Sequence, residues 1–132
     1  PIHDELTAEE VREQMQRYPE AVVVVHPEVP PQVAAMADAV RSTAGILKYV
    51  QESSAREFII GTEEGFFHTL KKNCPGKVFH LARTKFLCED MKKINLEVLA
   101  QALERKEHQI EVPEDVRERA AQSLQRMLAI AP

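Results

Sequence analysis

Residues 21–26 read Ala21-Val22-Val23-Val24-Val25-His26, and this apolar run decides the fold. Valine is β-branched and favours strands, and a run without polar alternation is typical of a strand buried on both faces. Strands of that kind belong to parallel sheets, whose connections cross over the faces, usually as helices. The run therefore predicts an α/β protein.

Helical and extended patterns alternate along the chain around this run, with a period of about 18 residues. The predicted helices cover residues 7–18, 31–39 and 46–51 and a fourth segment carrying Phe66, Phe67 and Leu70. Their predicted capping residues are Thr7, Thr43 and Thr62. Further strands are predicted at residues 40–42, 58–60 and 78–81. Residues 1–90 therefore predict a three-layer α/β/α sandwich around a small parallel sheet, with right-handed crossovers.

Beyond Met91 the apolar spacing is helical only. Leu96, Leu99, Ala100 and Leu103 form one amphipathic pattern, and a second begins at Pro113 and continues through Val116, Ala120, Leu124, Met127 and Leu128. The segment between the two patterns lacks the glycine and serine of a flexible linker. Residues 91–132 therefore predict a carboxy-terminal helical appendage that packs on the body.

The composition narrows the class of partner. The 132 residues include 17 basic and 21 acidic side chains, for a net charge of −4, and these charges are interspersed along the chain. That distribution favours neither a nucleic-acid partner nor a membrane surface. No apolar run reaches about 20 residues and no signal-peptide pattern is visible, so we predict a cytoplasmic protein. The chain begins with Pro1, which suggests a fragment or a processed product.

Polar residues follow each predicted strand. They are His26 and Glu28, Ser42 and Thr43, Gly61 and Thr62, and Arg83, in strand order. Ligands of open α/β sheets bind beyond the carboxyl ends of the strands. The loops there are not needed for packing the core, and the amino termini of helices attract anions. Each residue also has a structural interpretation: a surface histidine, a helix cap or, for Pro27, a stiffened corner. Their convergence on one edge favours a binding site without naming its ligand.

The two cysteines have different surroundings. Cys74 precedes Pro75-Gly76 at a predicted turn, where any small residue would serve, so we interpret it as structural. Cys88 follows the last predicted strand in a polar, lysine-containing loop and is a candidate metal ligand. A disulfide between them is the less favoured alternative in an intracellular chain. Because one thiolate cannot hold a cluster, Cys88 acts alone, is inert, or needs ligands from elsewhere.

Five separated motifs resemble quinolinate synthase in order and spacing, over nearly the whole chain. They are His26-Pro27-Glu28, Ser42-Thr43-Ala44-Gly45-Ile46, Phe58-Ile59-Ile60-Gly61-Thr62-Glu63, Ala82-Arg83 leading to Cys88 and Met91-Lys92, and Ile110-Glu111-Val112-Pro113-Glu114. The resemblance implies an enzyme of three similar α/β repeats, of which this chain is the third. In that family three cysteines, one per repeat, hold a [4Fe-4S] cluster with one open iron. Cys88 matches the final ligand, and the others would belong to the preceding segment of the same protein.

The resemblance also implies an activity and roles for individual residues. The family is a transferase of NAD biosynthesis that condenses iminoaspartate with dihydroxyacetone phosphate to give quinolinate. His26-Pro27-Glu28 would form a substrate wall, with His26 and Glu28 catalytic and Glu28 suited to move protons. Thr43 would bind a substrate carboxylate, supported by Ser42. His3 resembles the end of a Cys-x-x-His pattern and would support the cluster or relay protons.

Two departures from the family pattern, Val29 in place of a frequent cysteine and Ala44 in place of a frequent glycine, remove none of these roles. We expect the chain alone to be inactive, because it carries one cluster cysteine. Two other classes of function stay open. The chain could be a stand-alone module that binds a small dicarboxylate or phosphate, or an interaction domain with an exposed face.

Overall fold

The structure, a computed structural model, describes residues 2–130. Its helices are Ala8–Arg17 (α1), Pro31–Ala34 (α2), Thr43–Glu52 (α3), Phe66–Asn73 (α4), Glu89–Lys92 (α5), Leu96–Arg105 (α6) and Glu114–Ile130 (α7). Its strands are Val22–Val25 (β1), Ala39–Val40 (β2), Glu57–Gly61 (β3) and Val78–Leu81 (β4).

The four strands form one parallel sheet in the order β2-β1-β3-β4. The predicted α/β class is therefore confirmed. From β1 the chain passes first to β2 on one side and then returns to β3 on the other, so the strand order reverses between β1 and β3. Such a switch point opens a crevice at the carboxyl edge of the sheet, where ligands of α/β proteins bind.

The valines of β1 alternate between two separate hydrophobic cores. Val23 and Val25 pack on one face of the sheet with Val11 of α1 and Val33 of α2. On the other face, Val24 packs with Ile46 and Val50 of α3 and Leu70 of α4. Helices thus cover both faces, which confirms the three layers and explains why β1 shows no polar alternation.

Helix α1 begins as the capping-box pattern predicts. The Thr7 hydroxyl accepts a hydrogen bond from Glu10 N (3.2 Å), and the Glu10 carboxylate accepts one from Thr7 N (2.9 Å). These two bonds satisfy backbone groups that the first turn of a helix leaves unpaired.

The region around β2 differs from the prediction. Helix α2 ends at Ala34, not residue 39, and β2 is Ala39–Val40, not residues 40–42. The physical reason is Asp38, whose carboxylate accepts from Val23 N (2.8 Å) while its own N–H donates to Val23 O (2.9 Å). These hydrogen bonds pair the segment around Asp38 with β1 as a strand, so the helix ends before it.

Two predicted caps are wrong. Helix α3 begins at Thr43, three residues before its predicted start, and its cap is Ser42, whose hydroxyl accepts from Gly45 N (3.3 Å). Helix α4 begins only at Phe66, with Gly65 at its cap position, so Thr62 lies too far upstream to cap it. The Thr62 hydroxyl has a different partner, in the site described below.

The chain divides into two compact units after Met91. The second unit contains α6 and α7, which confirms that the tail is helical; the Asn95 side chain caps α6 by accepting from Val98 N (2.9 Å). The assignment of residues 1–90 to a third repeat and the packing of the tail on the body stay predictions. Over residues 2–130, no helix is both long and apolar enough to cross a bilayer.

Candidate functional site

The site begins where β1 ends. His26 N donates to Gly61 O (3.0 Å), so the pairing of β1 with β3 continues one residue beyond β1 and places His26 at the switch point. Val29 N then donates to His26 O (3.2 Å), closing a turn with Pro27 in its second position. Proline is favoured there because its fixed φ suits the turn. Pro27 thus has the corner role considered from the sequence, and Glu28 follows on the same turn.

His3, 25 positions before Glu28 in the sequence, joins this turn. In its neutral ring, Nδ1–H donates to Glu28 Oε2 (2.9 Å), since a carboxylate oxygen only accepts, and Nε2 then accepts from the Thr62 hydroxyl (3.0 Å). The ring also stacks on His26, with 4.2 Å between centroids and 14° between planes. His3, His26, Glu28 and Thr62 therefore form one hydrogen-bonded and stacked group at the switch point.

The segment that carries His3 is anchored by the residues that follow it. Leu6, fully buried in the first core, donates from its backbone N–H to His3 O (3.2 Å). Arg83, just beyond β4, pairs with Glu5 (3.3 Å) and with Glu10 of α1 (3.2 Å). These contacts hold the turn after His3 against the carboxyl edge of the sheet.

The two imidazoles are largely enclosed while the carboxylate is open: the side chains of His3 and His26 are 14% and 16% exposed, and that of Glu28 is 70% exposed. Burial lowers the pKa of His26, as does the neighbouring His3, against an opposing effect of Glu28. His26 is therefore neutral at pH 7. Because His26 Nδ1 accepts from Glu28 N (3.3 Å), the proton of the neutral ring is on Nε2.

Ser42 and Thr43 lie beyond β2, the neighbour of β1 on the other side from β3, and both are exposed. Within residues 2–130, no hydrogen bond joins either residue to His26 or Glu28. Thr43 is the first residue of α3, where free backbone N–H groups can receive an anion. The structure therefore places them at the same edge of the sheet, beside the histidine group rather than in it.

Cys88 is half-buried just before α5 and borders an open cavity of about 480 Å³. The lining residues are Ile2, Glu5, Arg83, Lys85, Leu87, Cys88, Glu89 and Asp90. Ile2 and Glu5 flank His3 in sequence, so this cavity adjoins the segment that carries His3. Cys74, in contrast, is buried in the second core among α3 and α4 residues, as expected of a structural cysteine.

These surroundings test the fit of a [4Fe-4S] cluster. Such clusters are held by cysteine thiolates, and a half-buried thiol at the wall of a roomy cavity suits one ligand position. The sequence contains two cysteines, and the other one is enclosed by the core. The surroundings of Cys88 therefore fit the donor of a single cluster ligand.

Sequence reasoning missed the role of Thr62. Its position one residue after β3 suggested a helix cap, but its buried hydroxyl instead fixes the ring of His3. The available signal was its place beyond the carboxyl end of the strand next to β1. The pairing with His3, 59 positions away in the sequence, depends on the tertiary fold.

The fold and the site together define the class of the protein: an α/β unit that presents a group of polar side chains at the carboxyl edge of a parallel sheet, where ligands of such proteins bind. The family model described as quinolinate synthetase A protein matches residues 1–129. The chain therefore belongs to that family, and the resemblance inferred from the five motifs is confirmed.

Individual relatives agree with the family match. The chain is 50% identical over 129 residues to the quinolinate synthase of Desulforudis audaxviator, and 43% identical over 129 residues to that of Clostridioides difficile. It is also 43% identical over 130 residues to quinolinate synthase 1 of Methanosarcina acetivorans. Each match covers 98% of this chain but only 42–43% of the relative. The chain thus spans less than half the length of these relatives.

Proposed function

We propose that this chain is the carboxy-terminal part of a cytoplasmic quinolinate synthase, which condenses iminoaspartate with dihydroxyacetone phosphate in NAD biosynthesis. The observation that carries the proposal is the convergence of His3, His26 and Glu28 at the switch point of a chain from this family. The open side of this group is the Glu28 carboxylate, which leaves room for a substrate to approach.

Glu28 has the properties of an acid–base group. One of its oxygens, Oε2, accepts from His3, which orients the carboxylate, and the side chain is otherwise exposed to an incoming substrate. Its other oxygen can take a proton from substrate carbon or nitrogen during isomerisation and return it to a departing hydroxyl. A positioned acid–base group typically contributes about 10²–10⁴-fold to the rate.

His26 and the start of α3 would contact the substrate directly. The neutral ring of His26 offers Nε2–H to a substrate oxygen without adding a positive charge. Thr43 would bind a substrate carboxylate with its hydroxyl and the backbone N–H groups of the first helical turn, and Ser42 supports that turn as its cap.

Cys88 would hold one corner of a [4Fe-4S] cluster, with the two other thiolates supplied by the preceding segment of the same protein. The open iron of the bound cluster supplies Lewis acidity toward substrate oxygen and nitrogen atoms. Arg83 supports both sides of the site, because it lines the cavity of Cys88 and pairs with the acidic residues that anchor the segment of His3.

A chimera tests the proposal. The matching carboxy-terminal part of the Desulforudis audaxviator quinolinate synthase, 50% identical, would be replaced with this chain. We expect the chimera to assemble a cluster anaerobically and form quinolinate. Cys88→Ala should abolish the cluster absorption, whereas the matched Cys74→Ala should retain it. Glu28→Gln should retain the cluster and lower the rate by at least about 100-fold.

The exposed surface pair of α3 provides a control for Glu28. Glu52→Gln removes a carboxylate that is paired only loosely with Lys48 (3.9 Å) and should leave the rate unchanged. A chimera that is folded and carries a cluster but forms no quinolinate would contradict the proposed activity. In that case, calorimetry with succinate and phosphate would test the alternative of a binding module.

A further inference from the structure

We propose that His3, His26 and Glu28 form a binding site for one divalent cation of the zinc class, with no ligand in common with the Cys88 cavity. One nitrogen from each imidazole and one carboxylate oxygen all lie within 4.8 Å of one another. Two histidines and one carboxylate are a ligand set that zinc accepts with a fourth position left to water.

The distances from the Glu28 carboxylate to the two imidazole nitrogens suit a small tetrahedral ion. His3 Nδ1 lies 2.9 Å and His26 Nδ1 lies 3.7 Å from Glu28 Oε2. Ligands at zinc distances of about 2.0–2.1 Å in a tetrahedron are about 3.3 Å apart, so the observed pair of distances brackets the required value. The exposed Glu28 side chain can rotate to complete the geometry, and the two stacked rings must tilt so that one ion lies near both ring planes.

Thr62 supplies the orienting hydrogen bond that metal-binding histidines usually have. With a cation on His3 Nδ1, the ring proton moves to Nε2, and the Thr62 oxygen changes from donor to acceptor at the same 3.0 Å contact. A hydroxyl can play both parts, so cation binding leaves no buried polar group unpaired there. On His26, the cation replaces only the long hydrogen bond from Glu28 N (3.3 Å).

The site has a functional consequence that rests on the proposed function. The same three side chains are the proposed substrate wall, so a bound cation and the substrate would exclude each other. Cation binding itself does not depend on the cluster, on substrate or on activity. Absence of cation binding would therefore leave the proposed quinolinate synthase role untouched. Absence of quinolinate synthase activity would likewise leave the cation site untouched.

Calorimetry with Zn²⁺ tests the site. The 132-residue chain would be used without an affinity tag, with a blocked amino terminus and with Cys88→Ala, so that neither the terminal amine nor the thiol can bind zinc. We expect one Zn²⁺ per chain. His26→Gln and Glu28→Gln should each weaken binding by more than about 100-fold, and Thr62→Val by about 10- to 100-fold.

His80→Gln is the matched control, because His80 pairs with Glu57 (2.7 Å) at a different place on the sheet. It should bind Zn²⁺ with unchanged affinity. In a second readout, Co²⁺ bound to the Cys88→Ala chain should give the intense visible absorption of a tetrahedral site, and Glu28→Gln should abolish it. Equal zinc affinity in the His26→Gln and parent chains, or no stoichiometric binding at all, would overturn the proposal.

Discussion

The imidazole of His26 lies among groups with opposite effects on its charge. Burial lowers its pKa most, the adjacent His3 lowers it further, and the Glu28 carboxylate raises it. The net lowering keeps the ring neutral at pH 7, even though a carboxylate oxygen lies 3.7 Å away. A neutral ring at this position can donate a hydrogen bond to a substrate without adding charge, or bind a cation through its unprotonated nitrogen. An imidazolium is positively charged and has no unprotonated nitrogen.

This lowering has a consequence for stability. Between the ordinary histidine value of 6.5 and the lowered pKa of His26, the unfolded chain binds a proton that the folded chain does not. The contribution of His26 to the free energy of unfolding is therefore fully present above pH 6.5. It is lost as the pH falls toward the pKa of His26 in the folded chain. We expect His26→Gln, which cannot titrate, to flatten this part of the curve of unfolding free energy against pH. Urea unfolding at closely spaced pH values measures it.

Proton NMR provides the direct check. The His26 ring resonance, assigned by its loss in His26→Gln, should titrate with a midpoint below 6.5. A midpoint above that value would mean that Glu28 outweighs burial, and the neutral-ring mechanism would then be wrong.

Local sequence pattern was enough to find some site residues and not others. His26 and Glu28 were predictable because they follow a four-valine strand, and such strands end at the binding edge. The group that His3 and Thr62 complete depends on contacts across 25 and 59 positions. Periodicity describes which face a residue is on and carries no information about such contacts. The family resemblance placed His3 near the site but did not identify its partners.

At the level of elements, the site depends on the close approach of β1 and β3. Gly61 is the register partner of Val25, and its carbonyl accepts from His26 N. A Cβ added at Gly61 would lie 2.8 Å from Val25 Cγ1 and 3.3 Å from Leu6 Cδ2. Both neighbours are fully buried in the first core, so neither can move away cheaply.

We therefore expect Gly61→Ala to lower the free energy of unfolding by about 1–3 kcal/mol, as overpacking of a core does. Urea unfolding followed by circular dichroism measures the loss. Gly76→Ala is the matched control, since a Cβ there meets no atom within 4 Å, and it should change stability by less than about 0.5 kcal/mol. Equal stability of the two variants would show that the strands can separate without cost.

The elements themselves were largely predictable, and two of the exceptions share one cause. The four strands and the helices that cover them follow from apolar periodicity, and β4 has its predicted bounds. The predicted end of α2 and the predicted cap of α4 were wrong because single polar groups, Asp38 and Thr62, form tertiary hydrogen bonds. Propensity describes local preference, and a buried hydrogen bond to another element overrides it.

At the scale of the whole molecule, the residues of both cores described within residues 2–130 lie in the segment from Leu6 to Phe86. These core residues, which pack on both faces of the sheet, therefore belong to the first unit. We expect a chain that ends at Met91 to keep a cooperative unfolding transition with the far-ultraviolet signal of an α/β protein. Loss of cooperativity in this truncated chain would mean that the sheet depends on the helical residues beyond Met91.

The proposed cluster site requires more thiolates than this chain supplies. The chain covers 43% of the Desulforudis audaxviator relative, and of its two cysteines Cys74 is buried whereas Cys88 is half-buried. If three thiolates hold the proposed cluster and Cys74 stays in the core, two must come from outside this chain. A single thiolate leaves a four-iron cluster with too few protein ligands to resist loss in solution.

We therefore expect the chain alone to form no stable cluster and no quinolinate. Anaerobic incubation with iron and sulfide, followed by gel filtration, absorption spectroscopy and iron analysis of the protein peak, measures this directly. The chimera described above is the positive control, because it restores the preceding segment around the same Cys88. A stoichiometric four-iron cluster on the monomeric chain would contradict the shared site, since Cys88 would then have found its partner ligands within these 132 residues.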